Sequence, residues 1–331
     1  IQILLKQKNK FISSMKKSIY IIMSCALLLS SCGIYNKYER PEVNTKGLYR
    51  DTKSETDTLV SADTITLGST PWKQVFTDPK LQTLIDSALA NNTDLLTAAL
   101  SVKQAQDMLM VAKLAYVPSF VFAPNGSLSS WDGAKTTKTY SLPVQASWTV
   151  DLFGNLLNAK RAQQMTLIQT RDYQRAVRTS IISNVANCYY TLLMLDEQLR
   201  ITKETETLTK ETWETMQEMK QYYGYNEASV LSAKANYLSV QASIPEIERQ
   251  IRETENSLSL LLAQAPTHID RGTFAAQSLP ENLRTGVGIQ VLANRPDVHA
   301  KEMALANCFY NVNKARSAFY PSINITGSAA W

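Results

Sequence analysis

The sequence predicts a mainly α chain of long antiparallel coiled-coil helices, interrupted by one amphipathic β-hairpin. Three observations predict it. Between Asn155 and Tyr222 there is no proline and no glycine, a run of roughly 68 residues that would extend about 100 Å as one helix. After it, Val230, Ala233, Tyr237, Val240, Ile244, Ile247, Ile251, Thr254, Leu258 and Leu261 keep 3-4 spacing, the seam of a coiled coil. Ahead of it, Tyr140, Leu142, Val144, Ala146, Trp148 and Val150 alternate with Ser141, Pro143, Gln145, Ser147, Thr149 and Asp151, the period-two pattern of a strand with two unlike faces.

The N-terminal elements come first. The chain starts at Ile1, and residues 1–14 read as translated upstream sequence. Met15, Lys16 and Lys17 followed by the apolar run Ile19–Leu29 have the form of a secretory signal peptide over 15–31. That run is shorter than the roughly 20 residues needed to span a bilayer. It ends Leu29-Ser30-Ser31-Cys32, which resembles a bacterial lipobox, with cleavage between Ser31 and Cys32 and lipidation of Cys32. Residues 33–70 are polar and read as an extended tether. Asp78 as N-cap with Pro79 at the first position then opens a helix expected to run to about Ala115, where Pro118 stops it.

A hairpin over 119–151 follows, with Phe120, Phe122 and Leu128 in its first arm and Trp131-Asp132-Gly133 at its turn. Each arm has about the ten residues that a tilted transmembrane strand needs. The pattern alone fits a half-buried soluble hairpin equally well. Gly154 ends the hairpin and the long helix covers 155–222, with Ile181, Val185, Cys188, Leu192, Leu195 and Leu199 in 4-3 spacing. Tyr223-Gly224-Tyr225-Asn226 breaks the helical pattern, and a return helix covers 227–265, with Pro245 expected to kink it or loosen one turn. The two shorter helices stacked end to end would match the long one. A lone strand pair cannot span a membrane, because its edges would be unsatisfied in lipid, so a membrane hairpin requires further strands to close a barrel.

Charge and chemistry exclude other classes. The chain has 34 basic and 29 acidic residues, net +5. Five of the lysines (6, 8, 10, 16 and 17) lie in residues 1–31, which contain no acid, so the remainder is neutral and gives no footing for nucleic-acid binding. Outside the leader and Cys32 only Cys188 and Cys308 remain, both in apolar helical patterns. His268 and His299 lack ligand spacing, and no phosphate loop, zinc motif or nucleophile elbow is present. The sequence therefore points to no enzyme, no metal and no cofactor other than a covalent lipid such as palmitate on Cys32.

The chain also repeats itself. Residues 112–122 (AKLAYVPSFVF) recur 203 residues later as 315–325 (ARSAFYPSINI), with Ala112, Ala115, Pro118 and Ser119 matching Ala315, Ala318, Pro321 and Ser322. Residues 71–293 read as a first repeat and 294–331 as the start of a second that is cut short at Trp331.

Trp148-Thr149-Val150-Asp151-Leu152-Phe153-Gly154, Asn294-Arg295-Pro296-Asp297-Val298, Ala315-Arg316 through Pro321-Ser322-Ile323, and the lipobox cysteine, in this order and spacing, resemble the TolC-like outer-membrane factors. The similarity is to the lipoprotein branch that serves RND efflux pumps (NodT/OprM-like). The resemblance implies a homotrimer whose subunits build a transmembrane β-barrel and a periplasmic α-barrel. It implies lumen-facing Gln145, Ser147 and Thr149, and lipid-facing Tyr140, Leu142, Val144 and Trp148. It places Tyr223, Gly224, Tyr225, Asn226 and Glu227 at a periplasmic tip that meets an adaptor protein, itself bound to an inner-membrane RND pump. The implied function is a passive exit duct for drugs and other small toxic compounds. A duct for type I protein secretion shares the architecture, and a periplasmic adaptor lipoprotein is the lower-ranked alternative. Two positions depart from the pattern: Val230 stands where members often have Asp, and Ala263 where many have Gly.

Overall fold

The computed structural model describes residues 38–41, 70–133, 135–224, 226–278 and 295–331. The leader, Ser31, Cys32, nearly all of the tether and Tyr225 lie outside the described residues. The elements are α1 (Trp72–Val75), α2 (Pro79–Asn91), α3 (Thr93–Leu114), β1 (Ser119–Phe122), β2 (Asn125–Ser129), β3 (Thr137–Ser141), β4 (Pro143–Val150), α4 (Asn155–Tyr223), α5 (Glu227–Leu261), a 3₁₀ turn (Phe274–Ala276), α6 (Pro296–Ser317) and β5 (Ile323–Ala330). The described residues divide into two compact units, one within 38–41, 112–162 and 308–331, the other within 70–111, 163–278 and 295–307.

The helical unit is held by the predicted seams. Leu81, Ile85 and Ala88 of α2 form one core with Ile181, Val185, Leu192 and Leu195 of α4 and Ile247, Ile251 and Leu258 of α5, all at most 9% exposed. Cys188, Leu199 and Leu261 pack against it partly buried. Further along the α4–α5 pair, Trp213 stacks on Tyr237 with ring centroids 5.7 Å apart, and Lys234 lies 5.4 Å above the Trp213 ring. The helix α5 continues through Pro245 without ending.

The expected single helix over 78–115 is two. Asn92 leaves the helical conformation (φ −61, ψ 127) and caps α3, its Oδ1 accepting from Asp94 N at 2.9 Å and Leu95 N at 3.2 Å. Its Nδ2 donates to Leu261 O at 3.0 Å, which ties the break to the end of α5. The repeat contains this break. Both α3 and α6 are 22 residues long, and their starts and ends lie 203 residues apart. Each then unwinds through 3₁₀-type bonds, Val117 N to Leu114 O in one and Tyr320 N to Ser317 O in the other, before its Pro-Ser and strand.

The return helix stops at Leu261, four residues before the expected end at 265, in a Schellman turn: Gln264 N donates to Ser259 O and Ala263 N to Leu260 O, both at 3.1 Å. Ala263 takes φ +54, a left-handed conformation that crowds its Cβ. Ala263→Gly is expected to raise stability by about 0.5–1 kcal/mol, since the relieved strain exceeds the added backbone entropy of the unfolded chain. A urea midpoint that stays unchanged or falls would rule out this strain.

The strand unit is a hairpin plus one returning strand. Sheet order is β1-β4-β5, all antiparallel, with β2 and β3 paired separately. The β1–β4 and β2–β3 pairings share one register, from Ser119↔Ser147 to Ser129↔Thr137. The predicted arms are therefore a single hairpin, interrupted where Ala123 and Pro124 oppose Leu142 and Pro143. Prolines supply no N–H to the ladder there.

Candidate functional site

The register sorts side chains onto two faces, because directly opposed residues share a face and neighbours along a strand alternate. One face of the three-stranded sheet carries Phe120, Phe122, Val144, Ala146, Trp148, Val150, Ile323 and Ile325. The other carries Ser119, Gln145, Ser147, Thr149, Asn324, Thr326 and Ser328, with Val121, Pro143 and Ala330 as its apolar members. Phe120, Phe122 and Ile325 are 73%, 63% and 53% exposed, an apolar surface that a water-facing sheet would not keep open. The residues expected to face lipid, Tyr140, Leu142, Val144 and Trp148, fall on the apolar side of the alternation. Gln145, Ser147 and Thr149 fall on the polar side. Within the β2–β3 pair, Tyr140 lies over Gly126, where an added Cβ would approach its Cδ1 to 3.3 Å, so an aromatic ring fills the space the glycine leaves.

The Trp-x-x-Asp-Leu-Phe-Gly stretch builds the strand-to-helix junction. Trp148 Nε1 donates to Tyr116 O at 3.0 Å, closing the end of α3. Asp151 Oδ2 accepts from Leu157 N at 2.8 Å in the first turn of α4, where a carboxylate also meets the helix dipole. Asp151 hydrogen-bonds Tyr116 as well; burial, reinforced by this carboxylate, pushes the Tyr116 phenol up. Gly154 turns the chain at φ +70, and Asn158 Nδ2 donates back to Gly154 O at 2.7 Å. The second repeat docks on the same spot: Tyr320 stacks on Phe153 with centroids 4.9 Å apart, and Asn155 Nδ2 donates to Ser317 Oγ at 2.9 Å. Both strand entries are thereby fixed to one helix start.

At the α4–α5 turn, Gly224 has φ +68, and a Cβ added there would meet nothing within 4 Å, so the glycine is needed for conformation and not for space. Asn226 caps α5 by accepting from Ala228 N at 3.0 Å, and Lys220 pairs with Glu227 at 2.9 Å across the turn. The Lys220 ammonium beside Glu227 holds its carboxyl below the usual range. Tyr222 and Tyr223 are 75% and 85% exposed. Tyr225 lies outside the described residues. At the start of α6, Arg295 pairs with Asp297 at 2.7 Å, and His299 Nδ1 lies 2.5 Å from Asp172, whose side chain is 3% exposed.

Sequence reasoning missed two polar knots in the helical unit. The first centres on Asp78, whose role as N-cap (Lys80 N to Oδ1, 2.8 Å) was legible. Its Oδ2 also accepts from Tyr189 OH at 2.6 Å and Gln277 Nε2 at 2.9 Å, while Tyr189 OH accepts from Gly272 N at 3.0 Å. Burial raises the Asp78 pKa, but these donors outweigh it and the net shift is downward. The ionised form therefore contributes stability in full above the unfolded value of 3.8, and the contribution is lost as pH falls through the lower folded value. Burial, with the bond to Asp78, pushes the Tyr189 phenol up. The second knot is Arg271, clamped between Asp196 and Glu255. The first knot binds the segment 266–278 to α4 and the start of α2, and the second binds it to α4 and α5. Among the described residues no group of three or more His, Cys, Asp or Glu could hold a metal ion, and no helix is long and apolar enough to cross a membrane. A β-barrel crosses a membrane on strands and needs no such helix.

An antiparallel sheet with one apolar and one hydroxyl face, joined along the chain to long coiled-coil helices, has the pattern of an outer-membrane β-barrel protein with a helical extension. The chain belongs to the outer membrane efflux protein family, whose pattern matches residues 84–264. It is 30% identical over 318 residues to the cation efflux system protein CusC of Escherichia coli, covering 91% of this chain and 65% of that one. The probable outer membrane lipoprotein SilC of Salmonella typhimurium is 29% identical, covering 92% and 66%. The chain thus spans just under two thirds of the length of these relatives. Among solved structures, CusC superposes with a TM-score of 0.74 at 28% identity, covering 91% of this chain and 68% of that one. The open MtrE outer membrane channel of Neisseria gonorrhoeae superposes with a TM-score of 0.75 at 27% identity, covering 90% and 66%. The fold is TolC-like, and the chain is an outer-membrane protein.

Proposed function

We propose that this chain is the outer-membrane duct subunit of a tripartite efflux pump, a passive exit for small toxic compounds. The observation that carries the reading is the two-faced sheet, with Trp148 and Ile325 directly opposed on its apolar side and Ser147 and Thr326 on its polar side. Lipid would cover the first face and water the second. The open edges of β1 and β5 require further strands, which a homotrimer of full subunits would supply. The chain makes and breaks no bond; the energy of transport comes from an inner-membrane RND pump, reached through a periplasmic adaptor that docks at the turn of residues 223–227. A lipid on Cys32 would be the only covalent addition. Relatives are named for efflux of cations, antibiotics, toluene and solvents, so the cargo is sought among metal ions and small organic toxins.

The test is deletion of the gene in its native host, with growth measured against a panel of metal cations, toluene and a panel of antibiotics. A drop in the inhibitory concentration for at least one class, restored by the gene in trans, is the expected result. Unchanged sensitivity to every compound, with loss of a secreted protein from the medium instead, would replace this reading with a type I secretion duct.

A further inference from the structure

The polar face extends beyond the three predicted lumen residues. The shared register carries the alternation through the proline interruption, since two residues on each strand are skipped there. Asn125, Ser127 and Ser129 thus continue the face of Ser119, and Thr137, Thr139 and Ser141 continue that of Gln145, Ser147 and Thr149. Asn324, Thr326 and Ser328 of β5 complete it. Among the described strand residues, this face holds Ser, Thr, Asn and Gln, with Val121, Pro143 and Ala330 as its apolar members, and no Asp, Glu, Lys, Arg or His. The charge in the strands, Lys138, lies on the other face opposite Leu128.

We propose that this face is a charge-silent stretch of wall, which cations, anions and neutral solutes meet alike. The inference rests on the reading of this face as the lumen. Pores that discriminate by charge line their path with rings of one sign, which concentrate the opposite ion near the wall. Hydroxyl and amide groups keep a path wet through hydrogen bonds, but present dipoles that turn to suit either sign. The cargo class that fits such a wall is set by size and solubility, and a metal cation and an uncharged organic solute would meet the same surface.

The experiment uses full-length protein in the outer membrane of intact cells, with Cys188→Ala and Cys308→Ala as background. Ser147→Cys and Thr326→Cys, directly opposed across β4 and β5, are probed with an anionic and a cationic methanethiosulfonate. Each rate is normalised to that reagent's rate with a free thiol. Both cysteines are expected to react with the two reagents at normalised rates within about three-fold, whereas a charged wall would separate them by about ten-fold or more. Ser147→Glu in the Thr326→Cys protein is expected to create that separation in favour of the cationic reagent. A ten-fold bias without the added glutamate would overturn the charge-silent wall. No reaction at Ser147→Cys and Thr326→Cys, with reaction at Ala146→Cys and Ile325→Cys instead, would overturn the facing beneath it.

Discussion

Arginine at Ala146 is expected to destabilise the membrane-inserted protein by about 2–4 kcal/mol, while arginine one residue on, at Ser147, is expected to cost less than about 1 kcal/mol. Both positions lie at the centre of β4. Ala146 is opposed by Phe120 on one side and Gly327 on the other, Ser147 by Ser119 and Thr326. At Ala146 a guanidinium would enter hydrocarbon beside Phe120, and a charge near the bilayer midplane finds neither water nor a partner. At Ser147 it would extend into water among hydroxyl groups. Neighbouring positions on one strand share backbone pairing, depth and strand propensity, so the difference between the two variants isolates the medium that each face meets. The measurement is urea unfolding of full-length protein refolded into phospholipid vesicles, followed by tryptophan fluorescence. Equal losses at both positions would mean that the sheet does not separate lipid from water, and the duct reading would lose its support.

The legible parts of this molecule were those written as local periodicity. Helix α4 begins at Asn155 as expected and ends at Tyr223, one residue past the expected end, because an unbroken run without proline or glycine leaves little else to form. All ten seam positions of α5 are buried or half-buried, from Val230 to Leu261. The hairpin was visible in the alternation of β4. Its interruption was also written there, in Pro124 and Pro143, since proline is a poor member of a ladder. The break at Asn92 was hidden in the first repeat, where the helix start reads Asn-Thr-Asp, and legible in the second, where Arg295-Pro296-Asp297 marks the same turn. The polar knots had no local signal. Tyr189 and Asp78 are 111 residues apart, Asp78 and Gln277 are 199 apart, and Arg271 and Asp196 are 75 apart. In sequence Tyr189 sits between apolar neighbours, as an ordinary core aromatic would. Its hydroxyl gains a role only when α2 and the segment after α5 meet it in space.

Arg271→Met is expected to cost about 3 kcal/mol, the scale on which removal of one partner from a buried ion pair acts. The Arg271 side chain is 9% exposed and that of Glu255 is 11%. The guanidinium grips Asp196 with two nitrogens, Nε to Oδ2 at 2.5 Å and Nη2 to Oδ1 at 2.8 Å, and Glu255 with Nη1 at 2.5 Å. Nη1 also donates to Ile269 O at 3.0 Å. The carboxylates of Asp196 and Glu255, with burial opposing them, hold the Arg271 pKa above its ordinary value. Without the guanidinium, Glu255 keeps its carboxylate in a nearly closed site with His268 Nδ1 at 2.8 Å and the long contact from Ile269 N at 3.4 Å. Asp196 is 39% exposed and can turn to water, which holds the expected loss near the lower end of the range. The double variant Arg271→Met with Glu255→Gln should be more stable than Arg271→Met alone by about 1–2 kcal/mol, since it removes the stranded charge. Urea midpoints of the three proteins, read by fluorescence, give the coupling. Limited proteolysis should show cleavage appearing within 266–278 in Arg271→Met, because the guanidinium is a main fastening of that segment to α4 and α5. A loss below about 1 kcal/mol, or a double variant weaker than the single, would show that the clamp is a surface pair in effect and that Tyr189 and Asp78 hold the segment without it.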